Sequence, residues 1–389
     1  MVIHNIKTSV NMCNRAKPLY LFVVVIFFLL AACSDSSTQS DPDGPDPQRP
    51  VEQPDDDPVP PGDDSVTVIT FAGTGDVGRT DGPAAQAEFN WPRNLLFDDQ
   101  WNLYISDSSN DVIRKINTDG EVTTFAGSGG RGHQDGPKGD AMFFQPNGLA
   151  FHQNGDLFLA DRNNHRVRRI SPDGEVTSYA GNGARLSIDG AAASASFELP
   201  DGLVIDSEGN VIIADMDGNR IRKITPDQQV TTIAGSGEFG FANGNGTEAS
   251  FRWPTSIAID GDGNIFISDT RNHMIRKLTP NGDVTVVAGN GERGYADGEA
   301  SQAQFNDPHG LAVANDGTIY VAESLGNRIR KISTSGIVST VAGTGEKGFK
   351  DGPADEAMFD SPVGLVINEN GNLLVSDLLN NRIRKIVFE

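Results

Sequence analysis

The stretch DRNNHRVRRISPDGEVTSYAG, residues 161–181, reads as a polar turn, an arginine-rich strand, a Pro-Asp-Gly turn and a second strand. Nearly the same sequence returns at residues 269–289 as DTRNHMIRKLTPNGDVTVVAG. Its central strand, of the type IRKI, begins every 54 residues, at Ile113, Val167, Ile221, Ile275, Ile329 and Ile383. Self-similarity at a fixed period indicates a repeat architecture, so we predict that residues 66–389 are six complete units.

Each unit is predicted to contain four short strands, which we call a, b, c and d. In the second unit they cover residues 146–151, 156–161, 165–170 and 175–181, separated by turns of Gly, Asn, Asp and Pro. No segment shows a long apolar period of 3.6, so few helices are expected. Six small antiparallel sheets that must bury both faces stack radially, which predicts an all-β, six-bladed β-propeller with four-stranded blades.

The two ends of the repeat region predict how the ring closes. Residues 66–73, VTVITFAG, match strand d, and residues 381–389, NRIRKIVFE, match strand c. The first strand is therefore expected to complete the last blade, which would leave the ring without free sheet edges.

The repeat resembles a known family. The segment PNGLAFHQNGDLFLADRNNHRVRRISPDG, residues 146–174, is similar to the NHL repeat, with its Pro-x-Gly strand, its Ala-Asp ending and its Asn-His-x-Val-Arg strand, and RNHMIRKL at residues 271–278 is a second close match. The resemblance covers residues 66–389 and implies a six-bladed NHL propeller. It implies no single activity, because the family includes RNA binders, interaction and sensor domains, adhesive proteins and a few metal-dependent lyases.

Two residue types recur in every unit and are interpreted as scaffold. An acid ends each strand b: Asp107, Asp161, Asp215, Asp269, Glu323 and Asp377. Seven residues later comes an arginine: Arg114, Arg168, Arg222, Arg276, Arg330 and Arg384. An antiparallel hairpin brings each acid near its arginine, so we expect six structural ion pairs.

The loop from strand d to the next strand a also recurs. It carries an Asp-Gly pair in five copies, with Asn243 in the fourth, and then a phenylalanine expected to fill the crevice between blades. Its glycines superficially resemble a phosphate loop, but no following helix is predicted. Calcium is the minor alternative for these loops, because each offers one acid where a calcium site needs several oxygens.

Function is expected where the copies differ. Strand a should line the axis, and the residue after its proline should ring the channel mouth: Arg93, Asn147, Asp201, Thr255, His309 and Val363. The residue before that proline is expected to be solvated; in the six units it is Trp91, Gln145, Leu199, Trp253, Asp307 and Ser361. Trp91 and Trp253 are therefore candidate exposed aromatic residues for ligand contact. The d–a and b–c loops should share this face.

Two hypotheses of function follow. The first is a non-catalytic module that binds a protein, peptide or glycan through the loop face. The second is a metal-dependent lyase or lactonase-like hydrolase, for which Asp201, Asn147 and His309 are the only plausible group at the axis. No GxSxG motif is present. We predict no cofactor, and a formal net charge of −22 argues against nucleic acid as a partner.

Residues 1–33 are predicted to be an export signal. Basic residues precede the apolar run LYLFVVVIFFLL at residues 19–30, and the sequence LAAC ends at Cys33. A Cys after small residues resembles a bacterial lipobox, so Cys33 is the expected lipid attachment point; ordinary cleavage is the alternative. In lipoproteins of this type, an Asp directly after the Cys resembles a signal for retention in the inner membrane. Here that residue is Ser34, which favours delivery to the outer membrane. Residues 34–65, rich in acids and prolines, are predicted to be a disordered tether.

Overall fold

The structure of the protein is a computed structural model that describes residues 66–389. The predicted export signal (1–33), its lipidation residue Cys33 and the tether (34–65) lie outside the described residues. Within residues 66–389, no helix has the length and apolar character needed to cross a membrane.

The described chain folds into six antiparallel sheets arranged as blades, and the strand classes occur as expected. The innermost strands, a, are Pro92–Phe97, Pro146–Phe151, Pro200–Ile205, Pro254–Ile259, Pro308–Val313 and Pro362–Ile367. Strands b are Leu103–Asp107, Leu157–Asp161, Val211–Asp215, Ile265–Asp269, Ile319–Glu323 and Leu373–Asp377. Strands c are Val112–Ile116, Arg166–Ile170, Arg220–Ile224, Met274–Leu278, Arg328–Ile332 and Arg382–Phe388. Strands d are Glu121–Ala126, Glu175–Ala180, Gln229–Ala234, Asp283–Ala288, Ile337–Ala342 and, for the sixth blade, Val66–Ala72.

Each sheet has one strand more than the sequence predicted. A two-residue strand, e, pairs with the outer strand d of every blade. These strands are Gly82–Pro83, Gly136–Pro137, Gly190–Ala191, Gly244–Asn245, Gly298–Glu299 and Gly352–Pro353. Strand e belongs to the long d–a loop, so the chain leaving one blade pairs with the outer edge of the next blade before it reaches the axis. The d–a loop therefore covers sheet edges and ties neighbouring blades together.

Short 3-10 helices supply the remaining regular structure. Four of them follow strand b, at Ser108–Asn110, Arg162–Asn164, Thr270–Asn272 and Leu378–Asn380. A fifth, Gly246–Glu248, lies in a d–a loop. The scarcity of helix in residues 66–389 agrees with the absence of a helical apolar period in the sequence.

The ring is closed by its first strand, as predicted. Val66–Ala72 lies antiparallel to Arg382–Phe388, with Val68 opposite Ile386. At the axis each strand a packs on the next, and the last, Pro362–Ile367, packs on the first, Pro92–Phe97. Residues 66–389 thus form a closed six-bladed β-propeller.

The hydrophobic core lies between blades. One buried cluster joins Ile113 of the first blade to Phe143 and Leu149 of the second, and the other clusters bridge neighbouring blades in the same way. The repeated phenylalanines are all fully buried, as predicted: Phe89, Phe143, Phe197, Phe251, Phe305 and Phe359. Because each blade completes its neighbours' cores, no blade is a separate folding unit.

Candidate functional site

The predicted pairing of acid and arginine is present in all six blades. In the second blade, Nη1 of Arg168 donates to Asp161 at 2.7 Å and to the carbonyl of Met142 at 3.0 Å. Its Nη2 donates to Asp135 at 2.6 Å, and the guanidinium lies 5.3 Å from the ring centre of Phe143. Arg168 and Asp161 are both fully buried. We call this arrangement the arginine clamp.

The second acid of the clamp was missed by the sequence analysis. Asp135 of the Asp-Gly pair accepts from Arg168 and also from the backbone N–H of Ser178 at 3.0 Å in strand d. Asn243, which replaces it in the fourth blade, still accepts from Arg276 at 2.8 Å. The carboxylate of each Asp-Gly pair thus has a structural role as an arginine partner, and the calcium alternative for these loops stays a prediction. The signal was in the sequence: Asp-Gly recurs in register with the arginine.

The strand-b acid of the clamp, Asp161, is ionised at neutral pH. Burial raises the pKa of Asp161 to about 6, while Arg168, the backbone N–H of Phe144 and Asn164 act in the opposite direction. The carboxylate is therefore ionised at pH 7 beside its arginine. A buried pair of this kind fixes geometry, because removing either partner would leave an unpaired charge in the interior.

A ring of hydrogen bonds links the blades at the loop face. The residue after the b–c turn has a left-handed backbone, with φ between 50° and 56° in every blade. Its side chain accepts the N–H of the pre-proline residue in the next blade: Leu199 donates to Nδ1 of His165 at 3.3 Å, and Trp253 donates to Asn219 at 3.1 Å. The six acceptors are Asp111, His165, Asn219, His273, Asn327 and Asn381.

The interblade ring explains two of the histidines. His165 and His273 occupy motif positions and bond to backbone through Nδ1. Burial is the largest cause that lowers the pKa of each, and neighbouring arginines add to it. Both imidazoles are therefore held neutral, with the lone pair that an acceptor needs. Asn, Asp and His are the side chains that adopt a left-handed backbone most readily, so the sequence carried a signal for this turn.

The six pre-proline residues also have left-handed backbones, with φ from 51° to 59°. Trp91 is 40% exposed, as expected. Trp253 is half-buried, with Arg271 lying 4.9 Å from its ring centre. Asp307 is buried, contrary to the expectation of a solvated position, because it pairs with Arg271 at 2.8 Å. Trp91 is thus the more accessible of the two candidate tryptophans.

The predicted channel-mouth residues do come together around the axis. Arg93, Asn147, Asp201, Thr255, His309 and Val363 surround a free volume of only about 10 Å³. Asp201 accepts from the side chain of Asn147 and from Nε of Arg162 at 3.2 Å. We call these six residues and Arg162 the axis cluster.

The strands that surround the axis pack closely directly beneath this cluster. The third residue of strand a is glycine in four blades, and the carbonyl of the adjacent blade lies where a Cβ would stand. A Cβ on Gly148 would meet the Asp201 carbonyl at 2.5 Å, and one on Gly310 would meet the Val363 carbonyl at 2.4 Å. Below this constriction an apolar vestibule of about 350 Å³, lined by leucines and isoleucines, occupies the other half of the channel. The free volume among the axis residues is therefore small compared with that of the apolar vestibule.

The charges of the axis cluster are unbalanced. Burial lowers the pKa of Arg93 to about 10, and it lowers the pKa of His309 to about 4, so this histidine is neutral at pH 7. Two guanidinium groups, of Arg93 and Arg162, therefore face the single carboxylate of Asp201. This arrangement repels cations, and residues 66–389 contain no group of three His, Cys, Asp or Glu side chains placed to hold a metal.

Comparison with known proteins agrees with this architecture. The model of the NHL repeat matches residues 143–170 and 251–278, and that of the Teneurin NHL domain matches residues 289–350. The chain is 30% identical over 284 residues to Protein SUPPRESSOR OF QUENCHING 1, chloroplastic, from Arabidopsis thaliana. That match covers 68% of this chain and 27% of the plant protein, so the chain spans a minor part of this relative.

Solved structures share the fold at low sequence identity. An auxiliary nutrient binding protein from Bacteroides thetaiotaomicron superposes with a TM-score of 0.63 at 19% identity, over 82% of this chain and 76% of that one. A catalytically inactive variant of virginiamycin B lyase from Staphylococcus aureus, solved with quinupristin, gives 0.51 at 16% identity, over 83% and 100%. Together with the repeats, the fold and the family matches, this shows that the chain belongs to the NHL-repeat β-propeller family.

The interblade ring leads to a first prediction, at His165. Replacing His165 with Ala leaves the N–H of Leu199 without its acceptor and puts Ala in a left-handed backbone. We expect the free energy of unfolding to fall by about 2 kcal/mol or more. His165→Asn should stay within about 1 kcal/mol of wild type, because Asn serves at this position in three other blades.

Urea unfolding monitored by tryptophan fluorescence measures both His165 variants. Equal destabilisation by Ala and Asn would contradict the acceptor role and would point to packing of the imidazole instead.

Proposed function

We propose that this protein is an exported, lipid-anchored, non-catalytic binding module that presents the loop face of its propeller to a protein, peptide or glycan. The export signal, with Cys33 as the lipid attachment point, would place the domain at the outer membrane, and the acidic, proline-rich residues 34–65 would act as the spacer. The propeller supplies a rigid frame, and the loops that differ between blades supply the recognition surface.

The observation that carries the proposal is where the exposed apolar side chains lie. Ten of the thirteen large hydrophobic residues that are exposed in residues 66–389 belong to the d–a and b–c loops. They are Val77, Trp91, Leu186, Ile188, Phe239, Phe241, Tyr295, Leu325, Phe349 and Leu379. Exposed apolar and aromatic residues concentrated in these loops favour an interaction surface.

The lyase alternative receives less support from the site. A metal-dependent reaction at the axis needs several ligands around one ion, whereas Asp201 is already bonded to Asn147 and Arg162. The volume of about 10 Å³ between the axis residues also leaves no room for a substrate among them. The likeness to a lyase of known structure, at 16% identity, concerns the fold alone.

The lipid anchor is tested by metabolic labelling of cells that express the full chain. We expect wild type to incorporate labelled palmitate and to fractionate with membranes, because the thiol of Cys33 would carry the acyl chain. Cys33→Ser should lose both properties. Labelling that persists in Cys33→Ser, or a wild-type protein without label, would contradict the anchor.

Binding through the loop face is tested by thermal shift with panels of glycans and peptides, and with calcium and zinc. We expect a ligand-dependent rise in melting temperature that Trp91→Ala abolishes. Trp101→Ala is the matched control, because Trp101 is equally exposed, at 40%, but lies in an a–b turn. A shift produced by metal ions and lost in Asp201→Ala would instead favour the enzyme hypothesis, and a shift lost in Trp101→Ala would move the site to the opposite face.

A further inference from the structure

Arg93 stands out among the half-buried and buried arginines of the propeller because it makes no hydrogen bond or ion pair within residues 66–389. Asp201 and Arg162 influence its guanidinium only through space. It is half-buried, and burial lowers its pKa to about 10. An unpaired, partly desolvated guanidinium costs stability, so its presence at the axis requires a reason outside the fold.

The surroundings of Arg93 select for an anion. The carboxylate of Asp201, the one acid of the axis cluster, already accepts from Asn147 and Arg162. His309 is neutral at pH 7, and its buried Nδ1 has no hydrogen-bond partner in the described chain. The axis cluster thus carries an excess of positive charge, although the whole protein has a formal net charge of −22. A planar carboxylate matches the donors of a guanidinium in geometry as well as charge.

An exposed aromatic residue precedes Arg93 closely in the chain. Trp91 is two residues from Arg93, so their Cα atoms are at most about 7 Å apart. The Trp91 N–H donates to Asn381 at 3.2 Å, and its carbonyl accepts the N–H of Ser108 at 3.3 Å. These bonds fix the backbone from which the indole projects. A fixed backbone reduces the entropy that is lost when a ligand stacks on the ring.

The other tryptophan of this position lacks both features. In the fourth blade Trp253 is followed, two residues later, by Thr255, whose hydroxyl bonds to Thr270 at 2.7 Å. The indole of Trp253 is covered by Arg271, whose charge is in turn neutralised by Asp307. The combination of an open aromatic ring and a free guanidinium therefore occurs at the first blade, and the fourth blade offers an internal comparison.

The depth of the site separates two kinds of ligand. The strand-a backbones approach one another closely at the glycines, and the free volume among the axis residues is about 10 Å³. A peptide side chain that anchors an interface usually fills a pocket, and none is present here. A sugar ring that lies across the rim needs no pocket, because it stacks on an aromatic face.

We infer that the loop face binds an acidic saccharide, with the carboxylate of a hexuronate residue on the guanidinium of Arg93 and the face of its ring on the indole of Trp91. This inference rests on the proposed binding function and names its ligand class. Asp201 is bonded to Asn147 and Arg162 and makes no ion pair with Arg93, so the guanidinium stays available to the ligand.

Isothermal titration calorimetry of the full-length protein in detergent, with tri-galacturonate as the probe, tests the inference. We expect tri-galacturonate to bind and its methyl ester to bind at least tenfold more weakly. Arg93→Met and Trp91→Ala should each weaken binding at least tenfold. Arg271→Met and Trp101→Ala, which remove the same chemistry elsewhere, should change affinity less than twofold.

Thermal unfolding of the same variants separates a binding role from a structural one. Arg93→Met should melt at the same temperature as wild type or higher, because an unpaired buried charge is removed. A marked loss of stability in Arg93→Met, or unchanged affinity for tri-galacturonate, overturns the inference.

The remaining outcomes also decide between the two proposals. Binding of neutral saccharides that depends on Trp91 and not on Arg93 overturns the inference and leaves the binding function intact. Binding of a peptide with a free C-terminal carboxylate, but not of its amide or of tri-galacturonate, overturns the saccharide class. No binding of any of these probes overturns the inference, and the wider glycan and peptide panel then decides whether the binding function survives.

Discussion

Each blade is built around a guanidinium that is completely removed from water. The arginine of strand c joins the acid of strand b, the Asp or Asn of the d–a loop and the carbonyl beside the repeated phenylalanine. That loop arrives from the preceding blade, so one side chain fixes both the hairpin of its own blade and the connection to its neighbour. Because the pair is buried, loss of either partner would leave an unpaired charge in the protein interior, which is strongly destabilising. The six-fold repetition of the clamp is therefore the constraint from which the rest of the ring follows.

A frame fixed in this way leaves the ends of the strands free to vary. The interblade ring of hydrogen bonds tolerates Asp, His or Asn, because each offers an acceptor at the same place. The pre-proline and post-proline positions, held on backbone that the neighbouring blade supports, accept Trp, Gln, Asp, Arg, His or Val. The six near-identical sheets thus present a surface without symmetry, in which one blade combines an open indole with an unpaired guanidinium.

Much of this could be predicted from the sequence, because the same structural unit occurs six times and the copies can be compared position by position. The blade number, the strand order, the closing strand and the Asp161–Arg168 pair all followed from periodicity. The two-residue strand e did not, because Gly136–Pro137 carries no alternating pattern long enough to read as a strand. Likewise the six channel-mouth residues of the axis cluster were identified, but not Arg162 or the pairing: that Asp201 bonds to Arg162, leaving Arg93 alone, depends on which side chains of different blades meet at the axis. The burial of Asp307 has the same origin in its contact with Arg271.

A double-mutant cycle on the clamp tests this account most directly. The free energy of unfolding is measured for wild type, Asp161→Asn, Arg168→Met and the double variant. If the buried pair fixes the blade, each single substitution should be costly, by about 3–5 kcal/mol, and the double variant should recover at least about 2 kcal/mol of the summed loss. Single effects that add to within about 0.5 kcal/mol would show that the two side chains are uncoupled, and would contradict the claim that the arginine clamp holds the propeller together.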